Sequence, residues 1–169
     1  MKKIFFVLLL FVFLPVTAFA KPTVDYTLPY PGILPDNPLY VLKAARDQII
    51  GFFISDPLKK SEYDLLQADK RLASGVSLIK EGSAKYNLSV TTISKGENYF
   101  NDAISKLAIA QKQGVDVKSF SSTMKTAVQK HIEVIRDLES QVSSQAKNGL
   151  ISQEKRLVEF EKRVNSLSQ

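Results

Sequence analysis

Three kinds of apolar pattern follow one another along this 169-residue chain. From Ile4 to Leu14 the run is continuous and uncharged. From Lys21 to Pro38 apolar residues are scattered among prolines without a period. From Pro38 onward they recur every three or four residues, which is the spacing of one face of an α-helix. Turn signals divide this periodic part. Asp36-Asn37-Pro38 opens a first helix that runs to about Phe53, with Asn37 as N-cap and Pro38 at the first helical position, where its missing N–H leaves no bond unmade. Leu39, Leu42, Ala45, Ile49 and Phe53 form its stripe. Asp56-Pro57 repeats the start signal almost at once, so the corner between the first two helices is sharp.

In the second helix Leu58, Leu65, Leu72 and Ile79 recur every seven residues, with Ser61, Ala68, Gly75 and Gly82 at the intervening places. Small residues along such a seam either admit a neighbouring helix at close range or, at Gly75, simply weaken the helix by about 1 kcal/mol relative to alanine. Glu81-Gly82-Ser83 ends it. Tyr86, Ile93, Phe100 and Leu107, with Val90 and Ile104, predict a third helix over about Ala84 to Gln113, thinned in the middle by the β-branched and small residues of Ser89 to Gly96 and stopped by Gly114. A fourth carries Val117, Met124, His131 and Leu138 in one row, and the pattern closes it at Asn148-Gly149, leaving a short fifth helix on Leu150, Leu157, Phe160, Val164 and Leu167. No strand alternation competes with these elements. The fold class expected is all-α, an antiparallel helical bundle of about four to five helices preceded by a Pro-rich extended segment.

The continuous run at the start changes the picture of where the chain works. Lys2 and Lys3 form a positive n-region and Ala18-Phe19-Ala20 an A-x-A cleavage site, so Met1 to Ala20 is read as a secretory signal peptide, with retention as an uncleaved anchor as the alternative. The domain reading is therefore 1–20 signal peptide, 21–37 Pro-rich extended lead, and 38–169 a single helical-bundle domain. The lead holds Pro22, Pro29, Pro31 and Pro35, which keep it extended, and its Tyr26, Leu28, Tyr30, Ile33 and Leu34 are too apolar for a solvated linker, so part of it is expected in a groove of the bundle.

Composition then narrows the chemistry. With no cysteine, there is no disulfide framework, thiolate nucleophile or thiolate metal site. The polar NSLSQ terminus offers no second span, so the cleaved product is expected to be soluble and exported. Of the net charge of +6, Lys2 and Lys3 supply two, and the rest is interleaved with carboxylates as on a solvated helix face, well short of a nucleic-acid footprint. Weak attraction to an acidic envelope polymer or an anionic lipid surface is compatible with it.

His131 is the single histidine, so a Ser/His/Asp triad or a multi-histidine metal site lacks parts. It is expected as a half-buried, hydrogen-bonded core residue and is the one candidate pH-sensitive position; Glu133 and Asp137 lie near in sequence but not on its helical face. Ser77-Lys80, Ser122-Lys125 and Ser152-Lys155 share the S-x-x-K spacing of a catalytic dyad, yet the spacing is common by chance and no S-D-N or K-T-G companion occurs. Glu62, Asp64 and Asp69, or Glu97 and Asp102, are carboxylates that acid–base chemistry would need paired in a dry cleft; among so many lysines they are expected to be solvated. No catalytic, cofactor-binding or metal residue is assigned, and no cofactor is expected. Ile49, Ile50, Phe52, Phe53 and Ile54 are apolar nearly all round, and are read first as the most buried turn of the bundle and otherwise as an interaction surface that meets a partner or membrane.

Pro31-Gly32, Leu34-Pro35-Asp36, Pro38-Leu39-Tyr40, Leu42-Lys43, Asp56-Pro57 with Lys59-Lys60, Ala68 to Leu72, and Lys130 to Val134 together resemble small exported bacterial proteins grouped as domain of unknown function 5667, over about Tyr30 to Leu138. The resemblance implies an exported helical domain and no activity. The function expected is thus a non-enzymatic helical binding or scaffold protein of the bacterial envelope, with a holdase-like chaperone as the alternative and an enzyme using an unfamiliar Ser/Lys or carboxylate site as a remote one. Its partner is an unidentified envelope protein or acidic envelope polymer, with no specific nucleic acid, membrane contact only through an uncleaved leader, and the oligomeric state open.

Overall fold

The computed structural model describes residues 23–167 and is all-helical there. The leader Met1 to Ala20 lies outside the described residues. Five helices follow in order: α1 Tyr40–Phe53, α2 Pro57–Lys80, α3 Tyr86–Lys112, α4 Lys118–Glu139 and α5 Ser144–Leu167, with a single 3₁₀ turn at Ser83–Lys85 before α3.

Local signals account for most boundaries. Asn37 accepts from the Leu39 N–H at 2.9 Å and sets the turn before α1, whose first regular residue is Tyr40 rather than Pro38. Asp56 caps α2 by accepting from the Lys59 N–H at 2.8 Å, with Pro57 in the first turn. Gly82 and Gly114 both sit at positive φ, +109° and +80°, and stop α2 and α3 as C′ glycines do. The middle of α3 is continuous, because tertiary burial of Ile93 and Phe100 outweighs the low propensity of Ser89 to Gly96. One boundary is corrected: α4 ends at Glu139, and Asn148-Gly149 lies inside α5 instead of closing α4. A Cβ on Gly149 would stand 2.5 Å from Val90 Cγ1, so this glycine gives α3 and α5 room to meet and does not end a helix.

Two antiparallel hairpins make the bundle. In the first, Ser61 donates to the Ala103 carbonyl (2.7 Å), Gly96 faces Ala68, and Ser89 donates to the Gly75 carbonyl (2.8 Å), a register that runs opposite ways along α2 and α3. The small-residue seam of α2 therefore receives α3, and a Cβ on Gly75 would come within 2.4 Å of Ile93. In the second, Arg136 pairs with Glu154 and Gln129 with Glu161 along α4 and α5. The hairpins pack with α3 beside α5, running parallel as Asn98 with Arg156 and Gln111 with the Leu167 carbonyl record, and α2 beside α4. Leu72, Ile93, Phe100, Leu107, Met124, Ile135, Leu150 and Leu157 fill the centre, all fully buried.

The contact of α2 with α4 is the thinnest of these four faces. The lead lies across it. The Val24 N–H donates to Glu133 (2.7 Å), Lys130 reaches the Val24 carbonyl (3.4 Å), and Tyr26 donates to Asp69 on α2 (2.6 Å), while Tyr26 and Leu28 pack on the core. This segment is a strap that completes the bundle.

Helix α1 stands apart. Its main packing partner among the helices is α2, and that contact is light. The residues it turns inward are Lys43, Asp47 and Gly51, spaced four apart, whereas Val41, Leu42, Ile49, Ile50, Phe52 and Phe53 face outward. Its amphipathic pattern is inverted relative to the bundle, and the expectation that Ile49 to Ile54 is the most buried turn is corrected: Phe52 is 83% exposed and Phe53 75%, and Ile54 alone is half-buried. Polar contacts explain the orientation. Tyr63 of α2 donates to the Asp47 carbonyl (2.7 Å), Gly51 lets Lys60 and Tyr63 approach its backbone, and the Lys43 stem runs past Gly32.

Candidate functional site

Two assemblies concentrate the chemistry of the molecule. The first is buried. His131 on α4 is sealed from solvent, its Nε2 2.8 Å from Asp69 Oδ1 on α2 and its Nδ1 3.2 Å from Glu97 Oε1 on α3. The edge of Phe100 packs on its ring at 5.1 Å, and Tyr26 of the strap donates to the other oxygen of Asp69. Burial disfavours the imidazolium, but the hydrogen bonds and charges of Asp69 and Glu97 outweigh it and raise His131 from 6.5 to about 9. The ring therefore carries a proton at neutral pH and donates in both directions. Burial first, and then the neighbouring Asp69, push the Tyr26 phenol far above its usual range.

This arrangement differs from the sequence expectation in three ways. His131 is fully rather than half buried. Its partners come from α2 and α3, and Glu133 instead holds the Val24 N–H and Lys130. Asp69, Glu97 and Asp64 are buried rather than solvated, Asp64 with Lys60 at 2.7 Å and its carboxyl raised by burial against that pairing; Glu62 and Asp102 are exposed. Nothing in the local sequence marks Asp69 and Glu97 as partners, since they stand 62 and 34 residues from His131 and meet only through helix packing. Their place beside the apolar stripe was the available signal: Asp69 adjoins Ala68 three residues before Leu72, and Glu97 stands three residues before Phe100 and seven before Ile104. The carboxylates sit on opposite nitrogens, so the trio is a relay of fixed charges and not a cage around a common point. The serine–lysine spacings are not brought together as dyads either: the Ser77 hydroxyl donates to the Ala73 carbonyl, and Ser122, Lys125, Ser152 and Lys155 are exposed.

The second assembly is on the surface. The turn at Tyr30 to Ile33 and α1 form the walls of a groove of about 490 Å³ that opens beside the exposed face of α1. Its apolar side is Tyr30, Ile33, Leu39 and Leu42; its cationic side is Lys43, Arg46 and Lys70, and no carboxylate lines it. Gly32 makes the turn at φ +73° and passes the Lys43 side chain, which is nearly buried and, among the described residues, reaches Asp47, at 3.8 Å, and the Tyr40 ring. Burial lowers the Lys43 ammonium from its ordinary value against the pull of Asp47. Arg46 makes the closer pair with Asp47, donating from Nε and Nη2 to one oxygen at 3.1 and 2.7 Å. Of the residues singled out in the sequence, Ile49, Ile50, Phe52 and Phe53 continue this apolar surface along α1.

The fold defines an all-helical bundle with an appended, outward-facing amphipathic helix. Residues 32–145 match the family model described as domain of unknown function (DUF5667), and the chain belongs to that family. The matched span takes in α1 to α4 and the groove apart from Tyr30 and Pro31, while most of α5, which supplies Leu150, Leu157 and Val164 to the core, follows it. No curated protein and no solved structure matches the chain.

Proposed function

We propose that this chain is a non-enzymatic binding protein of the bacterial envelope, exported by its leader, whose contact surface is the outward apolar face of α1. The inversion of α1 carries the reading. A helix that turns Lys43 and Asp47 inward and leaves six large apolar side chains in water has a surface of the kind that monomeric proteins cover with a partner. The non-enzymatic part rests on His131, the single histidine of the chain: it is sealed, and both ring nitrogens are engaged by carboxylates. The chaperone alternative draws on the same exposed face, but one 14-residue helix is a small area for an unfolded client.

The test is retention of an envelope component on immobilised protein, wild type against Phe52→Ser/Phe53→Ser. Retention by the wild type and loss in the double variant is expected, and equal retention by both removes α1 from the reading. Suppression of client aggregation at several-fold excess would favour the holdase instead.

A further inference from the structure

Resting on the reading of α1 as the contact surface, we infer that the groove and the outer face of α1 dock onto an anionic phospholipid bilayer, with the helix lying flat in the interface.

Three observations select this occupant. The first is the pairing of chemistries. Lys43, Arg46 and Lys70 line one side of the groove without a carboxylate among the lining residues, and apolar Ile33, Leu39 and Leu42 line the other, so the surface is complementary to a phosphate beside an acyl region. The second is length and placement of the apolar side chains. At 14 residues α1 is about 21 Å long, too short for a hydrocarbon core of about 30 Å, and no helix among the described residues is long and apolar enough to cross a membrane. What it does have is an apolar arc, with Tyr30 84% exposed near one end and Phe52 and Phe53 protruding at the other. Aromatic side chains at the margins of a flat apolar arc with cations beside it are the pattern of a helix lying in the headgroup boundary. The third observation weighs against a second copy. An isologous dimer on this face would set Lys43, Arg46 and Lys70 near the same cations of the other copy with only Asp47, already held by Arg46, to offset them. An anionic surface meets those charges favourably instead.

The docked geometry assigns roles. The guanidinium of Arg46 and the ammonium of Lys70 meet headgroup phosphates, while Lys43, its stem held along Gly32, presents its charge from within the groove. Val41, Leu42, Ile49, Phe52 and Phe53 enter the acyl boundary. The bundle then stands on the membrane through α1 and the turn at Tyr30 to Ile33.

Vesicle flotation tests this with residues 21–169, which contain every helix among the described residues and all of the described core, so that the leader contributes nothing. The probes are vesicles of phosphatidylcholine alone and of equal parts phosphatidylcholine and phosphatidylglycerol. Binding to the anionic vesicles at least about tenfold tighter than to the neutral ones is expected, falling with added salt, with Lys70→Glu costing about fivefold or more. Phe52→Ser/Phe53→Ser should weaken it by at least about tenfold without changing the thermal midpoint. Absence of flotation with anionic vesicles overturns the proposal, as does binding that the double variant leaves unchanged. A concentration-dependent dimer in sedimentation, dissolved by the double variant and with no vesicle binding, overturns it in favour of a second copy. If vesicles fail while the double variant still abolishes another interaction, the lipid assignment falls and the contact-surface reading stands; if the double variant alters nothing, both fall.

Discussion

Helices α1 and α4 carry equally regular apolar stripes and put them on opposite sides of the protein surface. In α4 the row Met124, Val128, Ile135 and Leu138 is buried, and so is the histidine within it. In α1 the row Leu42, Ile49 and Phe53, continued by Leu39 at its N-cap, faces water, and the buried face is Lys43 and Asp47. Periodicity establishes that a helix has two faces. Which face goes inward depends on what the neighbouring element offers: α4 meets the apolar sides of α2 and α5, whereas α1 meets Tyr63 and Lys60 of α2, which give it hydrogen-bonding and cationic partners. A polar helix face buried against polar partners and an apolar one left outside is a costly arrangement unless the outer face is covered in use.

Substitutions that probe the two helices should separate them sharply. Phe100→Ala, which empties the space between His131 and Phe160, should cost about 3–5 kcal/mol in denaturant unfolding. His131→Ala should cost a similar amount, about 3–5 kcal/mol, because Asp69 and Glu97 are left as uncompensated charges in the same core. A loss below about 1 kcal/mol for either would mean that the core around His131, which α4 faces, is no more essential than the outer face of α1.

The same histidine gives the comparison a pH axis. Its value is raised on folding from 6.5 to about 9, so its contribution is complete below about pH 6.5 and is lost as pH rises through about 9. Stability should fall by an amount on the order of 3 kcal/mol across that window, and His131→Ala, which lacks the imidazole, should lose this step. Next in size is Gly75→Ala, expected to destabilise by about 1–3 kcal/mol through collision with Ile93, the reverse of the gain of about 1 kcal/mol that alanine brings to an open helix. Smallest of all, Phe52→Ser/Phe53→Ser should leave unfolding within about 0.5 kcal/mol of wild type, and a larger loss would mean that α1 is folded against the bundle more tightly than its exposure indicates.

Much of the build was legible in the residues. Asp56-Pro57, Gly82 and Gly114 mark real helix ends because capping and positive φ are local demands that a neighbouring residue meets or fails to meet. The seam Ser61, Ala68, Gly75 was readable as a place of close approach, although not as the place where α3 arrives. Gly149 misled for a related reason: glycine serves a helix end and a close crossing equally well, and only the position of Val90 separates them. The His131 cluster was illegible in its partners, since carboxylates among lysines look solvated until packing removes the water around them.

The sequence by itself determined that this chain is helical, where its first three helices begin to within a turn, and that the Pro-rich lead is too apolar to float free, because propensity, capping and period act over a few residues. Only the tertiary structure decided that the lead straps α2 to α4, that Asp69 and Glu97 converge on His131, and that α1 lies inside out. Those outcomes are set by which surfaces meet across tens of residues, and burial there is a property of the pair of surfaces and not of either segment alone.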